Sequence, residues 1–272
     1  MLAANHIKID RHGIRIRPVA LPVEHGGWGL VLEPIVLGLL LAPSLVGLLL
    51  SITAMGAFFA RHPLKLAAGD RRLHRRSKRT ALAERFALLY LLIATLALAL
   101  AIKSGGAAFL LPLLLASPFA IMQLSYDSLG RSRALIAELA GSISIGAVAT
   151  AIALAGDWQR PAAFGLWAIL AARTVPTILY LRARLRLLRR KSASPRGVII
   201  AHALAILIVS GLAWLSVVPF LSVVALTILL LRAVLGFSRF DKRVTAKKLG
   251  LRELCFGAMT VLALVLGHAV GW

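Results

Sequence analysis

The sequence predicts an all-α, polytopic membrane helix bundle of about nine transmembrane helices, and three observations predict it. The 272 residues are 60% apolar and only 15% charged, with a mean hydropathy of +0.87, where soluble domains are nearer half apolar and a quarter charged. The apolar residues gather into runs of about 17 to 25, the length that crosses roughly 30 Å of hydrocarbon. The 32 Lys and Arg, set against 10 Asp and Glu, concentrate between alternate runs, as charge that orients a membrane protein does. This composition excludes a soluble enzyme. A lone cysteine, Cys255, makes no internal disulfide, and no Cys/His spacing has the form of a metal cage, so neither metal nor cofactor is expected.

Taken in order, the runs fall near 26–42, 44–60, 86–102, 107–125, 134–155, 161–181, 198–215, 217–235 and 252–270. Each is too long and too unalternating for a barrel strand, and lipid leaves helices as the other way to satisfy the backbone. Ala42-Pro43-Ser44, the stretch from Lys103 to Ala107, and Ser216 to Pro219 are short and rich in turn formers, so they close antiparallel helix hairpins. The fifth run carries Gly141, Ala147, Ala151 and Ala155 at helical spacing, which lets neighbouring backbones approach closely.

Basic residues fix the orientation. All but Lys103, Arg160 and Arg173 lie in the N-terminal tail, in segments near 61–85, 126–133 and 182–197, or between Arg232 and Arg252. Basic flanks resist translocation, so the expectation is an N-in, C-out protein of the cell membrane whose cytoplasmic loops include 236–251. Adding or removing one span would swap the later loops to the other side and destroy the separation. Residues 1–25 read as a basic cytoplasmic tail without the apolar core of a signal peptide, and 26–272 as a single nine-helix domain.

An ionisable residue inside a span is a candidate functional residue, because burial in lipid is expensive without a partner. Glu33 in the first span and Arg173 in the sixth both fall roughly 10 Å below the expected cytoplasmic boundary, and they can meet there. Glu138 and Glu253, at shallower depth, compete for Arg173. An ion pair that locks helix packing and an arginine that binds an anion both fit this pattern.

The segment Glu24-His25-Gly26-Gly27-Trp28-Gly29 starts the first helix. Glycines at a helix start leave N–H groups open beside the positive end of the dipole, which suits a phosphate, and His25 adds a proton donor near neutral pH. The plainer reading is an interfacial turn with Trp28 as an aromatic anchor. The second span ends in Arg61-His62-Pro63 and the sixth runs from Arg173 through Pro176 and Tyr180 to Arg182. Each proline removes a helix hydrogen bond, so the helix ends are expected to break there. Cytoplasmic arginines ordinarily meet solvent or anionic headgroups. Nucleic-acid binding is not expected, because the loops hold neither a folded reader nor interleaved aromatics.

Several of these residues together resemble the YwiC-like family of bacterial integral membrane proteins. The likeness rests on Pro22 to Trp28, Glu33-Pro34, Gly38, Arg61-x-Pro63, Arg173-Thr174-Val175-Pro176, Tyr180-Leu181-Arg182, Arg232 and Leu249-Gly250-x-x-Glu253. It implies a multi-pass protein of the bacterial inner membrane and no particular reaction. The nine-helix layout with long cytoplasmic loops is also similar, more distantly, to the UbiA family of intramembrane prenyltransferases. That likeness implies a UbiA-like architecture with a central lipid cavity and two Asp-rich magnesium motifs at the inner ends of the second and sixth helices. Here the motifs are missing: 57–69 holds no acid and neither does 173–196. Magnesium held between carboxylates and a diphosphate is therefore not expected, and those catalytic residues are not transferred.

What stands in their place is arginine, whose planar fork binds phosphate or carboxylate without a bridging cation. The leading expectation is a site for the anionic head of an amphiphile, an isoprenoid or a phospholipid, held by Arg61, Arg173, Arg182, His25, Tyr180, Gly26 and Gly27. Glu33 and Glu138 are the candidates for proton transfer if a group is transferred, and membrane lipids are the expected partners. The alternatives are a transporter of a small anion, with Arg173 as its mid-depth site, and an accessory membrane subunit with no small-molecule site.

Overall fold

The structure, a computed structural model, describes residues 16–21, 25–74, 77–238 and 244–271. Among these, a short turn, α1 (Arg17–Ala20), precedes nine long helices: α2 (His25–Leu41), α3 (Leu45–Arg72), α4 (Lys78–Gly105), α5 (Leu110–Ser128), α6 (Leu135–Ala155), α7 (Arg160–Leu188), α8 (Arg196–Trp214), α9 (Leu221–Phe237) and α10 (Ala246–Ala269). Seven are long and apolar enough to cross a membrane, and α2 and α9 are shorter apolar helices. The chain is a multi-pass integral membrane protein. The nine expected runs each fall on one of these helices, and the three short connections join α2 to α3, α4 to α5 and α8 to α9.

Side-chain caps set several boundaries. Ser44 accepts from the Gly47 N–H at 2.9 Å and starts α3 just after Pro43. Ser77 and Thr80 form a reciprocal capping box at the start of α4, which satisfies donors a helix start would otherwise leave open. Thr80 is fully buried and also donates to Asp70 of α3 at 2.7 Å. These bonds close α3 and α4 into a helical hairpin. Each of the two helices has 28 residues, about 42 Å at 1.5 Å per residue, so the pair outruns the hydrocarbon and projects beyond it.

Two expectations about helix ends are corrected. Neither Pro63 nor Pro176 ends its helix: α3 continues to Arg72 and α7 to Leu188. A proline costs one hydrogen bond and crowds the preceding turn, but both rings are buried against neighbouring helices, which hold the backbone on course. The segment 61–85 is therefore mostly helix, with Leu73 and His74 in a turn after α3.

α6 sits at the centre and packs on α2, α3, α5 and α7. Its small residues permit this, with Ala147 and Ala151 fully buried and Ala155 at the margin. Gly38 of α2 and Gly47 of α3 both lie against Ile152, so three backbones converge where no larger side chain fits. Polar atoms on this core are tied internally: Thr150 donates to the Ala163 carbonyl at 2.8 Å and the Trp167 indole N–H to the Ile143 carbonyl at 2.7 Å, both joining α6 to α7. α7 then packs on α8 and α9, and α10 returns against α2 and α9. That return brings the charged residues of α2, α7, α9 and α10 to one place.

Candidate functional site

Arg173 of α7 is 3% exposed and pairs through Nη1 with Glu33 of α2. Its Nη2 donates to the backbone carbonyl of Glu253 on α10 at 3.3 Å. Glycines make room for this. A Cβ on Gly257 of α10 would lie 2.9 Å from Arg173 Nη2 and closer still to the Glu33 carboxylate, and a Cβ on Gly29 of α2 would press on Leu254. α2 and α10 approach closely only because both positions lack a side chain.

Beside this pair lies a second. Arg232 of α9 pairs with the Glu253 carboxylate, and both side chains are about nine-tenths buried. The Arg232 guanidinium lies 4.2 Å above the centre of the Tyr180 ring, a cation–π contact of the kind that strengthens once water is excluded. Its Nη2 points at Thr177 Oγ1 and at His202 Nε2, each 3.4 Å away. His202 Nδ1 is 2.8 Å from the Val198 carbonyl. A carbonyl only accepts, so the proton is on Nδ1 and the Nε2 lone pair faces Arg232, the arrangement of a neutral imidazole. The cluster thus joins two guanidinium and two carboxylate groups from four helices, with His202 of α8 behind them.

Two buried atoms of the cluster have no hydrogen-bond partner among the described residues: Nε of Arg173 and Oε2 of Glu253. One is a donor and the other an acceptor. Buried polar atoms are rarely left so, and each adds to the cost of the site unless something else meets it.

Arg61 and Arg182 are elsewhere. Arg61 of α3 donates through Nε to Asp127 of α5 at 2.6 Å, and Asp127 is almost fully buried. Arg72 of α3 donates to the Leu129 carbonyl at 2.7 Å. From the other side Arg182 of α7 donates to the Arg133 carbonyl at 2.9 Å and to Glu138 at 2.8 Å. Three arginines from two helices therefore clamp the single connection between α5 and α6.

The sequence-predicted site residues divide accordingly. Arg173 meets Glu33, and Tyr180 supports Arg232, so these belong to the buried cluster. Arg182 follows Arg173 by nine positions, which puts them on opposite faces of α7 and about 13 Å apart along its axis. Glu138 pairs with Arg182 and stands apart from Glu33. Gly27 of α2 lies against the Phe58 ring, where Trp28, Phe58 and Phe59 pack edge to face or tilted. The side chain of His25 and the surroundings of Gly26 lie outside the described residues. The reading of the sequence missed Arg232, which it counted with the cytoplasmic loop charge, and His202 and Thr177. Arg232 lies inside α9, and a lone histidine in the apolar run of α8 was the other available signal.

Residues 21–153 match the family described as YwiC-like protein. This region of the chain is YwiC-like. It spans α2 to nearly the end of α6 and includes Glu33, Arg61, Asp127 and Glu138. The partners of two of these acids, Arg173 and Arg182, lie beyond it, as do Arg232 and Glu253. No curated protein and no solved structure matches the chain.

Proposed function

We propose that this membrane protein binds the anionic head of an amphiphile, an isoprenoid phosphate or a phospholipid, and that Arg173 with Arg232 is the anion-recognising pair. Arg173 carries the reading: it is a buried guanidinium inside a span whose Nε has no partner. An intramembrane charge is costly and marks a functional site by default, and an unused N–H on an arginine fork is what a phosphate oxygen accepts from. Arg232, held over Tyr180, supplies a second fork nearby. In this reading the protein lies in the cell membrane with its N-terminus in the cytoplasm. Arg61 and Arg182, nearer the basic loops, orient the cytoplasmic rim through which a headgroup arrives.

The test is native mass spectrometry of the purified protein, comparing wild type with the charge-neutral double variant Arg173→Gln/Glu33→Gln. A discrete, stoichiometric anionic lipid that disappears in the variant is the expected result. The absence of any specific adduct in both forms overturns the reading.

A second reading is transport of a small anion. The contact of the Arg173 and Arg232 pairs through Glu253 favours it, because neighbouring ion pairs can exchange partners as a site opens to alternate sides. Flux of a small anion into proteoliposomes, lost in the same double variant, would distinguish it from headgroup binding.

A further inference from the structure

We infer that the buried cluster is a proton-coupled anion site, in which Glu253 takes up one proton for each singly charged anion bound. This rests on the anion-binding reading above and adds to it a partner ion and a residue that carries it.

The argument begins with charge balance. Arg173 and Arg232 contribute two positive charges and Glu33 and Glu253 two negative, so the cluster is neutral as it stands. All four side chains are nearly buried, at 3%, 8%, 11% and 10% exposed in that order. His202 adds no charge, because its Nδ1 proton is committed to the Val198 carbonyl and its Nε2 accepts. An anion entering this site would leave a net negative charge in a low-dielectric interior, which is strongly disfavoured. Taking up a proton at the same time removes that penalty.

Geometry selects the residue. Glu253 has one oxygen on Arg232 and the other, Oε2, buried without a partner. Protonation at Oε2 leaves the bond from Arg232 to Oε1 in place and turns an orphaned acceptor into an O–H donor. Arg173 Nε is already an orphaned donor. The two unsatisfied atoms then become two donors for the same anion, on residues in contact through the 3.3 Å bond from Arg173 to the Glu253 carbonyl. α10 packs on α2, α7 and α9, and the charged groups these present toward Glu253 are Glu33, Arg173 and Arg232, with His202 of α8 behind Arg232. The exchange balances: the anion and one proton enter together, Glu253 becomes a neutral acid, and the cluster ends as it began, uncharged.

The experiment is isothermal titration calorimetry on the full-length protein in mild detergent, run in two buffers of different ionisation heat so that protons can be counted. The probes are dimethyl phosphate and dihexanoyl phosphatidylglycerol. Both keep one negative charge between about pH 5 and 8, so any proton counted belongs to the protein. Wild type should take up about one proton per anion bound, and its affinity should therefore fall as the pH rises. Glu253→Gln mimics the protonated state, and it should bind with no proton uptake and no pH dependence. Binding of both probes assigns the site to the phosphodiester alone, and binding of the lipid only assigns it to an amphiphile. Either supports the coupling if the proton is counted. Binding by wild type without proton uptake overturns the coupling and leaves the anion site standing. Failure of both probes to bind at any pH overturns the anion site and the coupling together. The proton count on wild type decides whether proton and anion are coupled even if Glu253→Gln does not fold.

Discussion

Arg173 and Glu33 pair where Gly257 of α10 leaves no side chain between them, and the same guanidinium also holds the Glu253 carbonyl. One side chain therefore ties α2, α7 and α10 together inside the span. The pair has no solvent to fall back on, so its two halves depend on each other far more than a surface pair would.

That dependence is measurable. Arg173→Gln or Glu33→Gln alone strands a buried charge and should destabilise the protein by about 3–5 kcal/mol. Arg173→Gln/Glu33→Gln removes both charges and should lose clearly less than the two single losses added together. Thermal unfolding in detergent, arranged as a double-mutant cycle, reads the coupling. Additive losses would mean that the two residues do not act as a pair.

Gly257 and Gly250 lie on the same helix and make opposite predictions. A Cβ at Gly257 would drive into the Glu33 carboxylate and Arg173, whereas a Cβ at Gly250 meets nothing within 4 Å. Gly257→Ala should cost about 1–3 kcal/mol through overpacking. Gly250→Ala should be neutral, or stabilising by up to about 1 kcal/mol from helix propensity. Comparing the two melting temperatures separates packing at the cluster from a general intolerance of α10 to substitution.

The clamp on the connection between α5 and α6 is uneven. Asp127 is buried under Arg61, so Arg61→Ala leaves a stranded carboxylate and should cost several kcal/mol. Arg182 and Glu138 are each more than a third exposed, and water screens their pairing, so Arg182→Ala should cost no more than about 1 kcal/mol. Hydrogen exchange across residues 129–134 should rise in both variants, and much more in the first. Equal protection in wild type and Arg61→Ala would show that the connection is held by something else.

How far the sequence was legible depends on which signal each feature writes. Span number and position were readable because lipid demands long apolar runs, and the tight connections declared themselves through Pro43, Gly105, Gly106 and Pro219. The pairing of Glu33 with Arg173 was readable as one option, since two charges at equal depth have reason to meet. Its exclusivity was not, because depth along a helix says nothing of which face a residue occupies. That is why Arg182 looked like a companion of Arg173 while lying on the opposite face of α7, and why Glu138, its true partner, looked like a competitor for Arg173. Arg232 was obscured by its position, only a few residues before a basic segment. The continuation of α3 through Pro63 was invisible to local propensity, because burial of the ring in the bundle, which no local pattern records, accompanies it.

Membrane orientation is the last expectation, and it can be tested without knowing any ligand. Basic residues cluster where α3 meets α4 and where α7 meets α8, while Lys103 and Arg160 stand nearly alone at the opposite helix ends. By the rule that basic flanks resist translocation, the richer side is expected to face the cytoplasm. On a Cys255→Ser background, a cysteine at Lys103 should react with a membrane-impermeant maleimide from outside intact cells. One at Arg196 should react only after the membrane is permeabilised. The reverse pattern would invert the topology and turn the basic rim outward, away from any cytoplasmic headgroup. Labelling of both sites from outside would mean that one of α5, α6 and α7, the three helices between the two positions, fails to span.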